Sequence, residues 1–266
     1  MHKFLVRAAS GIIYAAVIIF ALWQGAYSAW LLAAVFAVVG IVELDRMQIG
    51  ISNQTLPIIV LDILGVLSLI GLGIMPRGII LWLVIQIVRF IVARRIEKKS
   101  ESVVLIPSFG QVYIGIPFAF MIFNSVDSEI PRMLPLLVFV MLWLNDSGAY
   151  IVGSLLGRHK LCPKISPKKT WEGFFGGLVV TMMGAWVMFR LVGDLFDPFG
   201  VGAWFMLAAC TCIFGTLGDL LESKIKRKYG FKDSGHWIPG HGGLLDRIDS
   251  FLIAYPVAFL LIFFLQ

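Results

Sequence analysis

Five polar residues recur at helical spacing near the end of an apolar segment: Asp219, Glu222, Ser223, Lys226 and Arg227. On a helix, positions i, i+3, i+4, i+7 and i+8 form one continuous stripe. Long basic side chains at the end of a membrane span reach toward the interface, which accounts for Lys226 and Arg227. It does not account for Asp219 and Glu222, because carboxylates are costly in apolar surroundings. The stripe is therefore a candidate site for charged ligands.

A second acidic group opens the last apolar segment, where Asp246 and Asp249 lie at i and i+3. The residues before it, Gly240-His241-Gly242-Gly243, interrupt a helix and expose backbone N–H groups that suit bound anions. Helix capping would explain one of the aspartates. It does not explain the glycines, His241 and the second aspartate together.

Adjacent spans are predicted to bring these two acidic groups to one level of a membrane. Carboxylates that face each other across a small gap bind Mg²⁺, which commonly shares its ligand shell with substrate phosphates. The basic residues of the intervening loop would hold the remaining phosphate charge. This combination predicts phosphoryl or nucleotidyl transfer to a lipid.

Two further motifs are predicted on the same side of the membrane. Asp146 falls inside an apolar segment with Tyr150 and Gly153 near the same face, and an intramembrane aspartate is a functional candidate by default. The following loop carries Lys168 and Lys169, for which phosphate contact is favoured over a general cytoplasmic charge.

Residues on either side of the two lysines have a structural alternative. The hydroxyl of Ser166 or Thr170 would cap the helix that follows. Gly173 and Gly177 are spaced for close helix contact, with internal packing favoured over a dimer interface.

The composition places these motifs in a membrane. Of 266 residues, 59% are hydrophobic and 14% charged, and the mean hydropathy is +0.91; soluble domains carry about 25% charged residues. The predicted fold class is all-α, a polytopic integral membrane helical bundle of about nine transmembrane helices. The predicted spans are 8–24, 27–44, 55–74, 78–93, 105–125, 133–155, 173–193, 201–221 and 248–266.

The distribution of basic residues predicts the orientation. With the N-terminus in the cytoplasm, only Arg77, Arg132 and Arg190 of the 22 Lys and Arg residues fall outside. This bias is typical of cytoplasmic loops, so the polar motifs are expected to face the cytoplasm. The first apolar segment is interpreted as a retained span rather than a signal peptide.

The two parts of the chain differ in their polar content. Residues 1–102 are predicted to be membrane helices that serve as a scaffold, and residues 103–266 to be the catalytic membrane region. Within the scaffold, Asp62 is expected to pair with Arg89, because isolated charges are costly in hydrocarbon.

Several of these motifs resemble the signature of the phosphatidate cytidylyltransferases, the CDP-diacylglycerol synthases. The similar runs are 223–227, Lys232-Asp233, 240–243 and 246–249, with 166–173 and the segment around Asp146 upstream. The resemblance covers roughly residues 105–266. It implies an Mg²⁺-dependent reaction of phosphatidic acid with CTP that gives CDP-diacylglycerol and pyrophosphate.

The resemblance and the spacing together assign roles to individual residues. The predicted metal ligands are Asp219 and Asp246. The predicted catalytic residues are Asp219, Asp246, Asp249, Lys226 and Arg227. The predicted substrate-binding residues are Asp146, Lys168, Lys169, Thr170, Glu172, Ser223, Lys232, His241, Gly242, Gly243 and Arg247.

Other functions stay open at this point. One alternative is another CTP-dependent membrane lipid enzyme, such as a polyprenol kinase or an ether-lipid cytidylyltransferase. The other is an ion or anion transporter, which is less favoured because transporters often contain inverted repeats and this sequence shows no internal repeat. The expected partners are CTP, phosphatidic acid and the lipid bilayer. A homodimer is left open, and no nucleic-acid partner is expected.

Overall fold

The computed structural model describes residues 2–71, 77–97, 109–126, 131–193, 199–238, 240 and 242–265. Within these ranges the chain forms nine α-helices and one two-stranded antiparallel sheet. The helices are α1 His2–Gln24, α2 Ala26–Gln48, α3 Leu56–Gly71, α4 Gly78–Glu97, α5 Phe109–Val126, α6 Leu134–Leu156, α7 Trp171–Val192, α8 Val201–Lys228 and α9 Leu245–Leu265. The strands are β1 Lys160–Cys162 and β2 Ser166–Thr170.

The predicted helical membrane fold is confirmed, because each of the nine predicted spans coincides with a helix. Within the described residues, six helices (α2 and α5 to α9) are long and apolar enough to cross a membrane. The end of α8 and the start of α9 differ from the predicted span boundaries, and both differences concern the polar motifs. Helix α8 continues past residue 221 to Lys228, so the whole polar stripe lies on it. Helix α9 begins at Leu245, so Asp246 and Asp249 lie in its first two turns.

The hairpin of β1 and β2 was not predicted, since the sequence indicated only a basic loop between the sixth and seventh spans. The strands pair antiparallel, with Lys160 opposite Thr170 and Cys162 opposite Ser166. The hairpin therefore gives Lys168 and Lys169 a defined backbone immediately before α7.

The chain divides into two compact units. The first unit comprises Met1–Ser128 and Tyr229–Ile248, and the second comprises Glu129–Lys228 and Asp249–Gln266. This division follows packing, whereas the predicted division into a scaffold and a catalytic region concerns function and stays a prediction.

In the first unit, a buried polar cluster joins α3, α4 and α5. Asp62 accepts hydrogen bonds from Arg89 Nε at 2.5 Å and Arg89 Nη2 at 3.1 Å, and a third from Gln111. The oxygen of Gln111 accepts from Gln86 Nε2 at 2.6 Å and Trp82 Nε1 at 2.9 Å. The predicted pairing of Asp62 with Arg89 is confirmed.

In the second unit, α6 and α7 pack along a seam of glycines. A Cβ on Gly177 would lie 2.5 Å from Asn145 Oδ1, and one on Gly173 would lie 2.9 Å from the carbonyl oxygen of Ala149. A Cβ on Gly148 would lie 2.8 Å from Val180 Cβ. The predicted use of Gly173 and Gly177 in internal packing is thus confirmed.

Candidate active site

A cavity of about 410 Å³ lies in the second unit, between α6, α7, α8 and the hairpin. Asp146, Tyr150 and Gly153 line it from α6, as their common helix face predicts. Lys168 and Lys169 line it from the hairpin. The cavity therefore brings two ammonium groups, which suit a phosphate ligand, to one space with an exposed carboxylate.

One of these lysines reaches α8. Lys169 Nζ forms an ion pair with Asp219 Oδ2, and both side chains are roughly 30% exposed. Asp219 Oδ1 accepts a hydrogen bond from Ser223 Oγ at 3.2 Å, one turn further along α8. The upstream loop and the start of the polar stripe, predicted from separate motifs, thus meet in the second unit.

The remainder of the stripe is divided between buried and exposed residues. Glu222 and Lys226 form an i,i+4 ion pair, with Glu222 fully buried and Lys226 nearly so. Arg227 is exposed. The stripe is helical as predicted, but Lys226 already has a carboxylate partner, and its role as a phosphate ligand stays a prediction.

Helices α8 and α9 approach closely beside Asp219. A Cβ on Gly218 would lie 2.6 Å from the carbonyl oxygen of Asp249, so only glycine allows this contact. Asp249 is buried, and its carboxylate is close enough to Asp219 and Asp146 for their charges to interact. Three of the predicted acidic residues are therefore neighbours within the second unit.

The base of the hairpin is fixed by Glu172. Its carboxylate accepts hydrogen bonds from the backbone amides of Arg158 and His159, each at 3.1 Å, and it contacts His159 Nδ1 at 2.5 Å. Thr170 Oγ1 accepts from the Gly173 amide at 3.1 Å and caps α7, which confirms one of the two predicted caps. Substrate binding by Glu172 and Thr170 stays a prediction.

Asp246, the first residue of the second acidic motif, lies in the first unit. It follows the segment 234–245, whose described residues we call the glycine segment. Asp246 Oδ2 accepts hydrogen bonds from the amides of Gly243 at 2.9 Å and Ser234 at 3.0 Å. Gly240 and Gly242 have φ values of 76° and 91°, which side chains other than glycine rarely adopt. The predicted glycine turn therefore exists and is held to Asp246.

Glu43 contacts the glycine segment and was not among the residues predicted from the sequence. It lies on α2, is 1% exposed and accepts hydrogen bonds from the glycine segment. A signal for it was present, because an acidic residue at the end of a predicted span is a functional candidate by default.

Among the described residues, the predicted substrate-binding residues Lys232 and Arg247 do not line the cavity of the second unit. Lys232 and Arg247 are exposed, and His241 lies outside the described residues. Asp219 belongs to the second unit and Asp246 to the first, so their pairing as metal ligands stays a prediction.

The donor atoms of the second unit fit a magnesium ion. Asp219, Asp146, Asp249 and Ser223 offer only oxygen ligands, which Mg²⁺ prefers. Among the described residues, no group of three or more His, Cys, Asp or Glu is arranged to hold a metal unaided.

Comparison with known proteins points to one family. A sequence model described as the cytidylyltransferase family matches residues 5–265. The chain is 46% identical over 147 residues to a phosphatidate cytidylyltransferase of Staphylococcus epidermidis and 44% identical over 147 residues to one of Staphylococcus aureus. Each match covers 54% of this chain and 54% of the relative, so the chain spans about half the length of the curated relatives it matches.

The family match is much longer than these pairwise matches. It begins in α1 and ends at the last residue of α9, so it includes both units and every predicted site residue. On that evidence this membrane protein belongs to the cytidylyltransferase family.

Proposed function

We propose that the protein transfers a cytidylyl group from CTP to phosphatidic acid, giving CDP-diacylglycerol and pyrophosphate. The observation that carries the proposal is the cavity of the second unit, where Lys168 and Lys169 lie beside Asp146 and Lys169 pairs with Asp219 of α8. The relatives named phosphatidate cytidylyltransferase support the same substrates.

The chemistry requires no nucleophile from the protein. A phosphate oxygen of phosphatidic acid forms a bond to the α-phosphorus of CTP, and the bond from that phosphorus to the bridging oxygen breaks. Pyrophosphate leaves with the electron pair of that bond. The protein has to align the two phosphates and balance their charge.

The side chains of the cavity have distinct tasks in this proposal. Lys168 and Lys169 bind phosphate oxygens, and Lys169 exchanges Asp219 for the substrate when the site fills. Asp219 and Asp246 are the proposed Mg²⁺ ligands, with Ser223 and Asp249 beside Asp219. A bound Mg²⁺ supplies positive charge that stabilises the attacking and leaving oxygens.

The proposed location is the cell membrane, with the site open to the cytoplasm. Eleven of the 19 basic residues that are predicted to lie inside fall within 158–169 or 224–247, and this bias is characteristic of cytoplasmic segments. CTP would reach the site from the cytoplasm, and the acyl chains of the lipid would stay in the bilayer. The oligomeric state stays open, and crosslinking in native membranes would test for a homodimer.

The function is tested with purified protein in detergent, CTP, phosphatidic acid and Mg²⁺. We expect CDP-diacylglycerol to form and to vanish when EDTA is added. Asp219→Ala should abolish turnover, while Arg190→Ala, on the predicted outer side of the membrane, should retain it. Near-normal turnover by folded Asp219→Ala would refute the assigned site.

A substrate screen separates the alternatives. Polyprenol or an ether-lipid phosphate replaces phosphatidic acid, and ATP or dCTP replaces CTP. Preferred turnover of one of these lipids would identify another CTP-dependent lipid enzyme. Ion flux in proteoliposomes without any nucleotide product would identify a transporter instead.

A further inference from the structure

The carboxylate of Glu43 is enclosed by the glycine segment within the first unit. Glu43 Oε1 accepts a hydrogen bond from the Leu244 amide at 3.0 Å. Glu43 Oε2 accepts from the Leu245 amide and from Ser234 Oγ, each at 2.8 Å. The side chain is 1% exposed, so these three donors take the place of solvent.

Two glycines of the segment leave the space that this carboxylate occupies. A Cβ on Gly243 would lie 2.5 Å from Glu43 Oε2 and would overlap Ser234 Oγ. A Cβ on Gly235 would overlap Glu43 Oε1. Glycine is needed at both positions because a larger residue would collide with the Glu43 carboxylate. Backbone conformation does not require it, since neither Gly235 nor Gly243 has a positive φ.

The same segment holds Asp246 from its other side. Ser234 donates its hydroxyl to Glu43 and its amide to Asp246. Gly243 donates its amide to Asp246, and the next two amides along the chain donate to Glu43. The two carboxylates thus bind neighbouring groups at the same two places in the chain, Ser234 and 243–245, so the position of one constrains the position of the other.

We propose that Glu43 is a positioning residue that sets the glycine segment and, through it, the carboxylate of Asp246. The consequence for catalysis rests on the proposed function, in which Asp246 is a magnesium ligand. Every partner of Glu43 is a donor, and an ionised carboxylate only accepts. Glutamine has the same size, but its NH₂ group would face one of these donors.

The first test measures the segment directly and does not depend on the proposed function. Hydrogen–deuterium exchange of peptides covering residues 234–248 should be about tenfold faster or more in Glu43→Gln than in the wild type. The matched control is Asp45→Asn, a buried acid on the same helix. Wild-type exchange in Glu43→Gln would overturn the proposal.

The second test measures the dependence of CDP-diacylglycerol formation on Mg²⁺. In Glu43→Gln the Mg²⁺ concentration for half-maximal rate should rise about tenfold, and Asp45→Asn should match the wild type. A purely structural role would lower thermal stability without moving this concentration, and that result would overturn the proposal.

A milder variant keeps the test informative if Glu43→Gln does not fold. Ser234→Ala removes one of the three hydrogen bonds to Glu43 but keeps the amide that binds Asp246. We expect a two- to fivefold rise in the half-maximal Mg²⁺ concentration, and an unchanged value would overturn the proposal. If the wild type makes no CDP-diacylglycerol, the proposed function fails while the exchange test still decides the role of Glu43.

Discussion

At the scale of single residues, the ion pair of Lys169 with Asp219 is the most informative contact of the site. Both side chains are partly exposed, so the pair contributes little to stability, about 0–1 kcal/mol. Its value lies in placing an ammonium group and a carboxylate side by side at the cavity. A phosphate ligand would give Lys169 a new partner and leave the oxygens of Asp219 available.

Lys169→Gln should therefore impair catalysis more than stability. We expect kcat/KM for CTP to fall about 10- to 100-fold, since a charge-assisted hydrogen bond to phosphate is worth about 1.5–3 kcal/mol. The control is Lys164→Gln, an exposed lysine in the hairpin turn that does not line the cavity. Equal losses in both variants would show that general positive charge, rather than this contact, is responsible.

At the scale of elements, the seam between α6 and α7 fixes one wall of the cavity. Asn145 and Gly177 are in backbone contact there, and Gly173 lies against Ala149 one turn away. Small residues allow such close approach between membrane helices. The wall that carries Asp146 is consequently positioned by glycines that have no chemical role.

Gly177→Ala should force the two helices apart. The added Cβ would lie 2.5 Å from Asn145 Oδ1 and 2.8 Å from the Asn145 carbonyl oxygen. Overpacking of this kind costs about 1–3 kcal/mol, so the thermal unfolding temperature in detergent should fall. Gly202→Ala on α8 is the control, because a Cβ there meets no atom within 4 Å, and we expect its unfolding temperature to be unchanged or higher. If Gly177→Ala unfolded at the same temperature as this control, close packing of α6 against α7 at Gly177 would be contradicted.

At the scale of the whole molecule, the polar cluster of Asp62, Arg89 and Gln111 distinguishes the first unit from a simple apolar bundle. The Asp62 side chain is 2% exposed and that of Arg89 is 14% exposed. Removing one partner of a buried pair leaves the other charge uncompensated, which costs about 3–5 kcal/mol.

The single variants Asp62→Leu and Arg89→Leu should each lower the unfolding temperature strongly. The double variant should be more stable than the sum of the two losses implies, since replacing a whole buried pair by apolar residues is often nearly neutral. Thermal unfolding of all four proteins in the same detergent measures this coupling. Strictly additive losses would show that the pair does not act as a unit.

The sequence predicts those features that depend on local patterns. Long apolar runs determine all nine helices, and helical spacing places Asp146 on the face that lines the cavity and Asp219 one turn from Ser223. The cap at Thr170 follows from its position before an apolar helix.

The features that the sequence could not predict depend on contacts between distant residues. Glu43 binds Leu244, which is 201 positions away. The hairpin depends on Glu172, which binds the backbone at Arg158 and His159 and closes the loop. No local pattern encodes either contact, because each is formed only when separate elements pack together.

The glycine seam has a mechanical consequence. At Gly153 and Gly173 the backbone of α6 lies against the backbone of α7, so no side chain there can change its rotamer to let one helix slide past the other. A change in the width of the cavity would therefore involve its other walls, α8 and the hairpin. Of these walls, the hairpin is joined to α7 by the Glu172 carboxylate, which accepts hydrogen bonds from the Arg158 and His159 amides.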